Sequence, residues 1–426
     1  MNKNDAETYL KRFQRSAFPR LVERELPAFS EKSINALIGP RRAGKTSMML
    51  QVMKDLMEAG HDKKGLLYLN FEDLLLIDVT FKDIPAIVEL HERLFGTDKP
   101  ILFLDEPQAV AEWERAVRHL HDQGHRIFIS GSSAKMLSKE IATSLRGRSV
   151  TRTVLPFSFK EYLSLKDIAH DSEKQLLLKA LEEYLHYGGF PEVLLEEDDA
   201  LKADKLREYL ELIIYRDIVE RHGVKDPEII RWLVKAVITS NAKEMSINKL
   251  YQTLRSQQRR IAKNDVYAYI SMLKDSLFLW PLQRFSWSVR KRETVSKAYL
   301  CDVGFHSVGN AGTDRGRKME NLVHLKLARE TGFFDEISYW KNAQQEEVDF
   351  VLKKGDHTTQ LLQVCYAMDD EDTKKREIRA LLKAGKELRC ENMTVITYET
   401  ESQETVEWFG IKGTIRYVPI TQWLLT

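Results

Sequence analysis

The chain has 426 residues and a formal net charge of +1, with 65 Lys or Arg against 64 Asp or Glu. This length allows about two or three domains, and the balanced charge excludes a general electrostatic attraction to nucleic acid or to anionic membranes. Three cysteines are too few and too scattered for a disulfide or zinc framework. The N-terminus lacks an apolar signal core and no stretch approaches a membrane span, so we expect a cytoplasmic protein without a membrane partner.

Residues 39–46 read GPRRAGKT, the GxxxxGKT pattern of a loop that cradles nucleotide phosphates. A mostly apolar run precedes the loop and residues 46–53 continue at helical spacing, so the order is strand, loop, helix. In such a loop backbone N–H groups turn toward the phosphates, Lys45 reaches the terminal ones, and the Thr46 hydroxyl ligates Mg²⁺. The alternative is a glycine-rich turn that binds no phosphate. The predicted cofactors are ATP and Mg²⁺, bound by Gly39, Pro40, Arg41, Arg42, Ala43, Gly44, Lys45, Thr46 and Ser47.

A second strand, residues 100–106, is continuously apolar and ends in two carboxylates, as in a parallel sheet buried on both faces. We expect Asp105 to hold Mg²⁺, mostly through water, and Glu106 to polarise the attacking water. A charged strand end at a surface turn is the alternative. Together with the phosphate loop, the pair favours hydrolysis over nucleotide storage.

Two further segments fit the same chemistry. The apolar strand 126–131 leads into Ser132 and Ser133, one of which we expect to orient the catalytic water; a serine-rich turn is the alternative. In the loop that follows, Arg146 or Arg148 is a candidate to reach the γ-phosphate of a neighbouring subunit, which implies a homo-oligomer. The alternative is that these arginines are solvated or structural.

With these motifs the chain resembles the prokaryotic, often called archaeal-type, AAA-family ATPases that end in a domain of unknown function with a restriction-endonuclease-like fold. The resemblance covers essentially the whole chain. It implies an α/β fold: a P-loop AAA-type parallel sheet with a helical lid, then a winged helix and a restriction-endonuclease-like α/β domain. The segments that carry it are residues 39–46, 102–108, 131–137, 145–148, 156–162, 187–191, 215–219, 316–321 and 347–350.

The predicted domains follow composition and pattern. Alternating strands and helices up to residue 155 indicate the ATPase core, and residues 156–225 lack strands and suit a helical lid over the nucleotide. Three helices and a hairpin predict a winged helix-turn-helix at residues 226–300. Residues 301–426 are assigned to the restriction-endonuclease-like domain.

The winged-helix segment concentrates positive charge. Residues 246–297 contain 11 cationic and three acidic side chains, a local net charge of +8 in a nearly neutral chain. Cations before the third helix and at the hairpin tip would meet phosphate, which predicts a DNA partner. A contact surface for a protein, or a merely solvated basic face, is the alternative. The candidates for DNA binding are Arg259, Arg260, Lys263, Arg290, Lys291 and Arg292.

The C-terminal resemblance implies a nuclease site built from a helix Glu, a strand Asp and a Glu/Gln-x-Lys on the next strand. Here these positions hold Glu320, Asp349 and Gln363, while Cys365 stands where the lysine belongs. Gln is a weak metal ligand and Cys supplies no ammonium. We therefore expect a degenerate site that holds Mg²⁺ weakly, lacks a cation beside the attacking hydroxide, and does not cut DNA efficiently.

The leading hypothesis is a Mg²⁺-dependent AAA-type ATPase that acts as a switch or motor on DNA or on a protein partner. Two alternatives stay open. One is a winged-helix DNA-binding regulator that senses ATP without turnover, and the other is an ATP-gated DNA nuclease. Measured turnover and its response to DNA separate the first two, and a metal-dependent cleavage assay tests the third.

Overall fold

The computed structural model describes residues 2–132, 145, 147–286, 295–309, 314–331, 335–367 and 370–426. The chain divides into two compact units. The first comprises Met1–Leu155 with Asp275–Leu277, and the second comprises Pro156–Lys274 with Phe278–Thr426. No helix among the described residues is long and apolar enough to cross a membrane.

The first unit is built on a five-stranded parallel sheet in the order β2-β3-β4-β1-β5. All residues of β1 and β4 are buried, as expected for central strands covered on both faces. The strands are β1 (Ile34–Ile38), β2 (Leu66–Asn70), β3 (Ile101–Asp105), β4 (Ile127–Gly131) and β5 (Ser149–Thr153), and the helices are α1 (Lys3–Arg15), α2 (Lys45–Glu58), α3 (Asp83–Phe95) and α4 (Trp113–Asp122). Short 3₁₀ turns span Lys63–Gly65, Leu74–Leu76 and Pro107–Ala109.

The register of this sheet brings the polar strand ends together. Ile38, at the end of β1, pairs with Gly131 of β4 and with Thr153 of β5. On the paired strands β3 and β4, the rings of Phe103 and Phe128 stack with their centroids 4.7 Å apart. Because the carboxyl ends of parallel strands lie at the same edge of a sheet, the phosphate loop after β1, the Asp105 and Glu106 carboxylates at the end of β3 and Ser132 after β4 share that edge. The predicted α/β fold with a parallel sheet is confirmed.

The second unit begins with helices. These are α5 (Phe159–Leu165), α6 (Lys174–Tyr187), α7 (Pro191–Leu194), α8 (Asp199–Leu212) and a π-helical continuation, Ile213–Glu220. Ser158 and Glu161 form a reciprocal capping box that fixes the start of α5. The helical character of this segment is as expected, and its role as a lid stays a prediction.

A small antiparallel sheet in the order β6-β8-β7 comes next. The elements are α9 (Pro227–Thr239), β6 (Lys243–Met245), α10 (Ile247–Ser256), α11 (Lys263–Asp275), β7 (Leu279–Gln283), β8 (Ser296–Leu300) and α12 (Phe305–Val308). One hydrophobic core joins Phe190 and Leu206 to Ile230, Val266 and Phe305, so packing is continuous across residue 225. The winged-helix assignment stays a prediction.

The C-terminal residues form a separate mixed sheet of six strands in the order β13-β14-β12-β11-β10-β9. Strand β12 runs parallel to β11 and β14, and the other pairs are antiparallel. The register of β10 against β9 shifts between Val348 and Val351, an irregularity of the kind that re-aims a side chain. The elements are α13 (Arg315–Glu330), β9 (Asp335–Lys341), β10 (Glu347–Lys354), β11 (His357–Cys365), α14 (Glu371–Leu388), β12 (Met393–Thr397), β13 (Ser402–Trp408), β14 (Ile411–Pro419) and α15 (Ile420–Leu425).

Candidate functional site

The loop between β1 and α2 has the backbone that phosphate binding requires. A Cβ on Gly39 would overlap the carbonyl oxygen of Val154, so only glycine allows the loop to run this close to the chain after β5. Gly44 adopts the left-handed conformation at φ 90° and turns the chain into α2. The first amides of a helix have no partner within the helix, so this turn presents N–H donors to an anion.

Lys45 is buried above this loop. Its Nζ donates to the carbonyl oxygens of Gly39 and Pro40, each at 3.1 Å, and lies 3.7 Å from Oε1 of Glu106. The side chain is 6% exposed, so the ammonium is held against the loop instead of extending into solvent. Its contact with the terminal phosphates stays a prediction.

Asp105 accepts hydrogen bonds from three hydroxyl groups. Its Oδ2 accepts from Thr46 Oγ1 at 2.7 Å and from the hydroxyl of Tyr68 at 2.8 Å, and its Oδ1 accepts from Ser130. Burial raises the pKa of Asp105, and these hydrogen bonds oppose that effect. The Thr46 hydroxyl and the Asp105 carboxylate are hard oxygen donors in direct contact, a donor set that fits Mg²⁺.

Glu106 follows in a conformation that is uncommon outside glycine. Its φ is 52° and its ψ is 45°, and its amide donates to Ser130 Oγ at 3.2 Å. The carboxylate accepts from Ser132 Oγ at 3.2 Å and from the amide of Gln108. Such strain commonly occurs at functional sites, and the bonds from both sides fix the orientation of the carboxylate. Ser133 lies outside the described residues.

Sequence reasoning missed three polar partners in this site. Ser130 and Tyr68 bind Asp105, and Gln108 binds Glu106. A hydroxyl residue one position before the end of β4 was a usable signal for Ser130, and Gln108 stands inside one of the motifs that carry the family resemblance. No local pattern marked Tyr68, whose contact depends on the pairing of β2 with β3.

Of the two candidate arginines, Arg146 lies outside the described residues. Arg148 pairs with Asp122, with Nη1 2.9 Å from Oδ1 and 3.1 Å from Oδ2. Its carbonyl accepts from the amide of Ile34 at 2.8 Å, at the beginning of β1. Since the phosphate loop follows the other end of β1, about 16 Å away for five residues, Arg148 does not serve the phosphate loop of its own chain.

The other predicted loop residues differ in their contacts. Arg41 pairs with Glu72 at 3.4 Å, and Arg42 has a positive φ of 64°. Arg24, from the irregular segment after α1, was not predicted at all. Its Nη1 donates to the carbonyl of Ala43 and its Nη2 to that of Leu155, both at 2.9 Å.

In the second unit, the three predicted nuclease-site residues come together. Glu320 lies on α13, Asp349 on β10 and Gln363 on β11; the Asp349 amide donates to Gln363 Oε1 at 3.1 Å. Asp349 Oδ2 accepts from the Val364 amide at 3.0 Å. Cys365 is buried, which raises the pKa of its thiol to about 11, so it stays a neutral core residue.

The expectation that this site lacks a cation is wrong. Lys297 of β8 places its Nζ 2.7 Å from Asp349 Oδ1, 2.8 Å from Glu320 Oε1 and 2.7 Å from Glu347 Oε1. Lys297 is one of the 11 cations of the basic segment, yet its side chain is only 2% exposed and is not available to DNA. No sequence spacing relates it to the motif. Within the described part of the chain, no group of three or more His, Cys, Asp or Glu is arranged to hold a metal ion.

The candidate DNA-binding residues divide into two groups. Arg259, Arg260 and Lys263 are exposed at the junction of α10 and α11. The other three, Arg290, Lys291 and Arg292, lie outside the described residues. The exposed group forms a basic surface between the end of α10 and the start of α11.

Comparison with known proteins identifies three matched regions. The family described as AAA domain matches residues 31–163. Two families described as domains of unknown function match the remainder, DUF8612 at residues 178–310 and DUF4143 at residues 315–423. The matched families thus divide the chain into an AAA domain and two regions without an assigned activity.

Two relatives align over most of their length. The uncharacterized protein MJ1544 of Methanocaldococcus jannaschii is 36% identical over 400 residues, covering 92% of this chain and 88% of the relative. An uncharacterized protein of Haemophilus influenzae is 30% identical over 331 residues, covering 76% and 80%. Among solved structures, the Walker-type ATPase PABY2304 of Pyrococcus abyssi aligns with a TM-score of 0.41 at 14% identity, covering 73% of this chain and 95% of that chain.

Proposed function

The chain belongs to the same family as the uncharacterized protein MJ1544, and from the geometry of its AAA domain we propose that it hydrolyses ATP with Mg²⁺ as cofactor. The observation that carries the proposal is the convergence of Lys45, Thr46, Asp105 and Glu106 at one edge of the parallel sheet. An ammonium, a hydroxyl and two carboxylates within one hydrogen-bonded network are the groups that phosphoryl transfer to water requires.

In this mechanism the loop binds and orients the triphosphate. The N-terminal amides of α2 face the phosphates, and Lys45 exchanges its bonds to the Gly39 and Pro40 carbonyls for phosphate oxygens. Thr46 and Asp105 would hold Mg²⁺, which neutralises charge on the phosphates when bound. Tyr68 and Ser130 keep Asp105 in place by hydrogen bonds to both of its oxygens.

Glu106 orients the attacking water. Its carboxylate is 13% exposed and is held by Ser132 and Gln108, so one geometry is maintained before the substrate arrives. Ser132 thus acts on the water through Glu106, as a positioning residue. A carboxylate in this role contributes about 10²–10⁴-fold to a rate.

The proposal is tested by steady-state ATP hydrolysis of the full chain with and without Mg²⁺, in wild type and in Asp105→Asn. Turnover should require Mg²⁺, and Asp105→Asn should demand a higher Mg²⁺ concentration, because a neutral amide replaces an anionic ligand. Turnover that is independent of Mg²⁺, or identical Mg²⁺ titrations of both proteins, would contradict the proposed roles.

We further propose that the ATPase acts as a switch or motor on DNA through a winged helix at residues 226–300. The order α9-β6-α10-α11-β7-β8 supports the fold, since a winged helix has the same sequence of elements. The exposed cations Arg259, Arg260 and Lys263 support DNA as the partner over a protein. Assembly into a homo-oligomer belongs to the same proposal. Arg148 lies too far from the phosphate loop of its own chain, so a catalytic role for it requires the γ-phosphate of a neighbouring subunit.

A further inference from the structure

Lys297 connects the small antiparallel sheet to the C-terminal sheet. It is the second residue of β8, yet its side chain ends among carboxylates from α13 and β10. The three oxygens around its Nζ belong to Glu320, Glu347 and Asp349, at 2.7 to 2.8 Å. A protonated lysine has three N–H donors, so three acceptors at these distances use its whole donor capacity.

The environment keeps this ammonium charged. Burial alone would lower the pKa of Lys297, but Asp349 and Glu320 outweigh burial and raise the pKa well above its ordinary value. The Tyr299 hydroxyl donates to the same Glu320 oxygen at 2.6 Å. The Lys297 ammonium therefore lies among three carboxyl groups, each with an oxygen within 2.8 Å of its Nζ.

A divalent metal does not fit this arrangement. A nuclease metal in such a fold would bind oxygens of Glu320 and Asp349, and those oxygens already accept from Lys297. Oxygen ligands lie about 2.0–2.1 Å from Mg²⁺, so a metal and the ammonium cannot share the same centre. The third motif residue is also engaged, since Gln363 Nε2 donates to Glu377 at 2.6 Å.

The contacts around Lys297 continue as a junction between the two sheets. Glu347 also lies 3.2 Å from Lys341 of β9, and Lys341 lies 3.0 Å from Glu244 of β6. The Tyr339 hydroxyl donates to Glu244 at 2.9 Å. Two strands of the small sheet, β6 and β8, thus each contribute one charged residue to an alternating network with β9 and β10.

We propose that the C-terminal carboxylate cluster is a cation site whose occupant is the ammonium of Lys297, which excludes divalent metal and fastens the small sheet to the six-stranded sheet. The domain consequently has the residue positions of a metal-dependent nuclease without the metal. Its present role is to hold β8 against the C-terminal sheet. Removing the ammonium should expose a divalent-cation site that the wild-type chain does not offer.

The test is calorimetric titration of the full chain with Mn²⁺, without nucleotide, in wild type, Lys297→Met and the double variant Lys297→Met/Asp349→Asn. Lys297→Met should bind one Mn²⁺ more than wild type does, and the double variant should lose that additional site. Lys341→Met is the matched control, because it removes a peripheral ammonium of the same junction and should gain no site. DNA incubated with wild type and Mn²⁺ should stay uncut.

Two results would overturn the proposal. One is Mn²⁺ binding or DNA cleavage by the wild-type chain that disappears in Asp349→Asn, and the other is a folded Lys297→Met chain with no new site. If Lys297→Met does not fold in plain buffer, its folding is measured by circular dichroism with added Mn²⁺. Recovery of the fold by Mn²⁺ supports a vacated cation site, and the absence of recovery refutes it.

Discussion

The hydroxyl of Thr46 donates to Oδ2 of Asp105 at 2.7 Å, although 59 positions separate the two residues in the chain. Thr46 belongs to the first turn of α2 and Asp105 ends β3, two strands away from β1 in the sheet. The contact therefore depends on the parallel strand order, which places the ends of β1 and β3 at one edge. It joins the two side chains proposed to hold Mg²⁺ before nucleotide is present.

The first prediction separates nucleotide binding from hydrolysis. Lys45→Ala should weaken binding and turnover together, because it removes the charge-assisted phosphate contact. Glu106→Gln should retain ATP binding and lose about 10²-fold or more in turnover, since the amide has the size of the carboxylate without its charge. The measurements are fluorescent-nucleotide binding and phosphate release. Glu112→Gln, an exposed position, is the control, and equal turnover in wild type and Glu106→Gln would remove Glu106 from the mechanism.

A second prediction concerns Arg148, which lies beside the beginning of β1, at the opposite end of that strand from the phosphate loop. If Arg148 reaches the phosphate of a neighbouring subunit, specific activity should rise with protein concentration and Arg148→Ala should lower turnover. Mixing Arg148→Ala with Glu106→Gln should then partly restore activity. Asp122→Asn is the matched control, since it breaks the same ion pair and keeps the arginine. If Arg148→Ala and Asp122→Asn lower turnover equally, and specific activity does not depend on protein concentration, Arg148 has only a local structural role.

The third prediction is salt-dependent DNA binding by the basic segment. Reversing Arg259, Arg260 and Lys263 to Glu should weaken binding, and it should flatten the slope of log K against log salt by up to about 0.9 for each phosphate that the protein no longer neutralises. Reversing Arg290, Lys291 and Arg292 should have a similar effect. Fluorescence anisotropy over a salt series provides the measurement.

Its control is a second triple reversal of equal charge, at the exposed residues Lys386, Arg389 and Lys412 of the C-terminal domain. If that reversal weakens binding as much as the first one, the effect reflects net charge alone. Unchanged binding after reversal of Arg259, Arg260 and Lys263 would point to recognition of a protein instead.

The fourth prediction concerns Asp302, a buried carboxyl that accepts from the amides of Gly189 and Gly304 at 2.7 and 2.8 Å. Burial raises its pKa to about 7, against the hydrogen bonds and Arg329, which lower it. Because the folded pKa exceeds the ordinary value of 3.8, its contribution to stability is complete below about pH 4 and is lost as pH rises through 7.

The free energy of unfolding of wild type, measured relative to Asp302→Asn, should therefore fall between pH 5 and 7 by about 1.4 kcal/mol per pH unit at most. Above about pH 8 the difference should be constant. Urea unfolding of both proteins at several pH values gives this difference. The cost of replacing the carboxyl group by an amide does not depend on pH, so it does not affect the slope. A difference that is flat from pH 5 to 8 would show that Asp302 titrates near its ordinary pKa.

A structural feature can be predicted from the sequence when the residues that determine it lie close together in the chain. The phosphate loop and the Asp105–Glu106 pair were predictable because short motifs fix both their backbone and their neighbours. Lys297 was not, since a lysine near basic residues gives no sign that its partners come from α13 and β10. Glu347 lies in the segment 347–350, which carries the family resemblance. Its partner Lys297 comes from a strand of a different sheet, so only the structure reveals the pair. A buried ion pair between residues that are far apart in the chain produces no periodic pattern in the sequence.

The guanidinium of Arg24 bridges the carbonyls of Ala43 and Leu155. A guanidinium is planar and rigid, so its two N–H groups cannot follow carbonyls that move apart. Ala43 belongs to the phosphate loop, and Leu155 is the last residue before the second unit begins at Pro156. If the Ala43 carbonyl shifts relative to the Leu155 carbonyl, at least one of these two hydrogen bonds must break, so Arg24 ties the position of the phosphate loop to that of the chain just after β5.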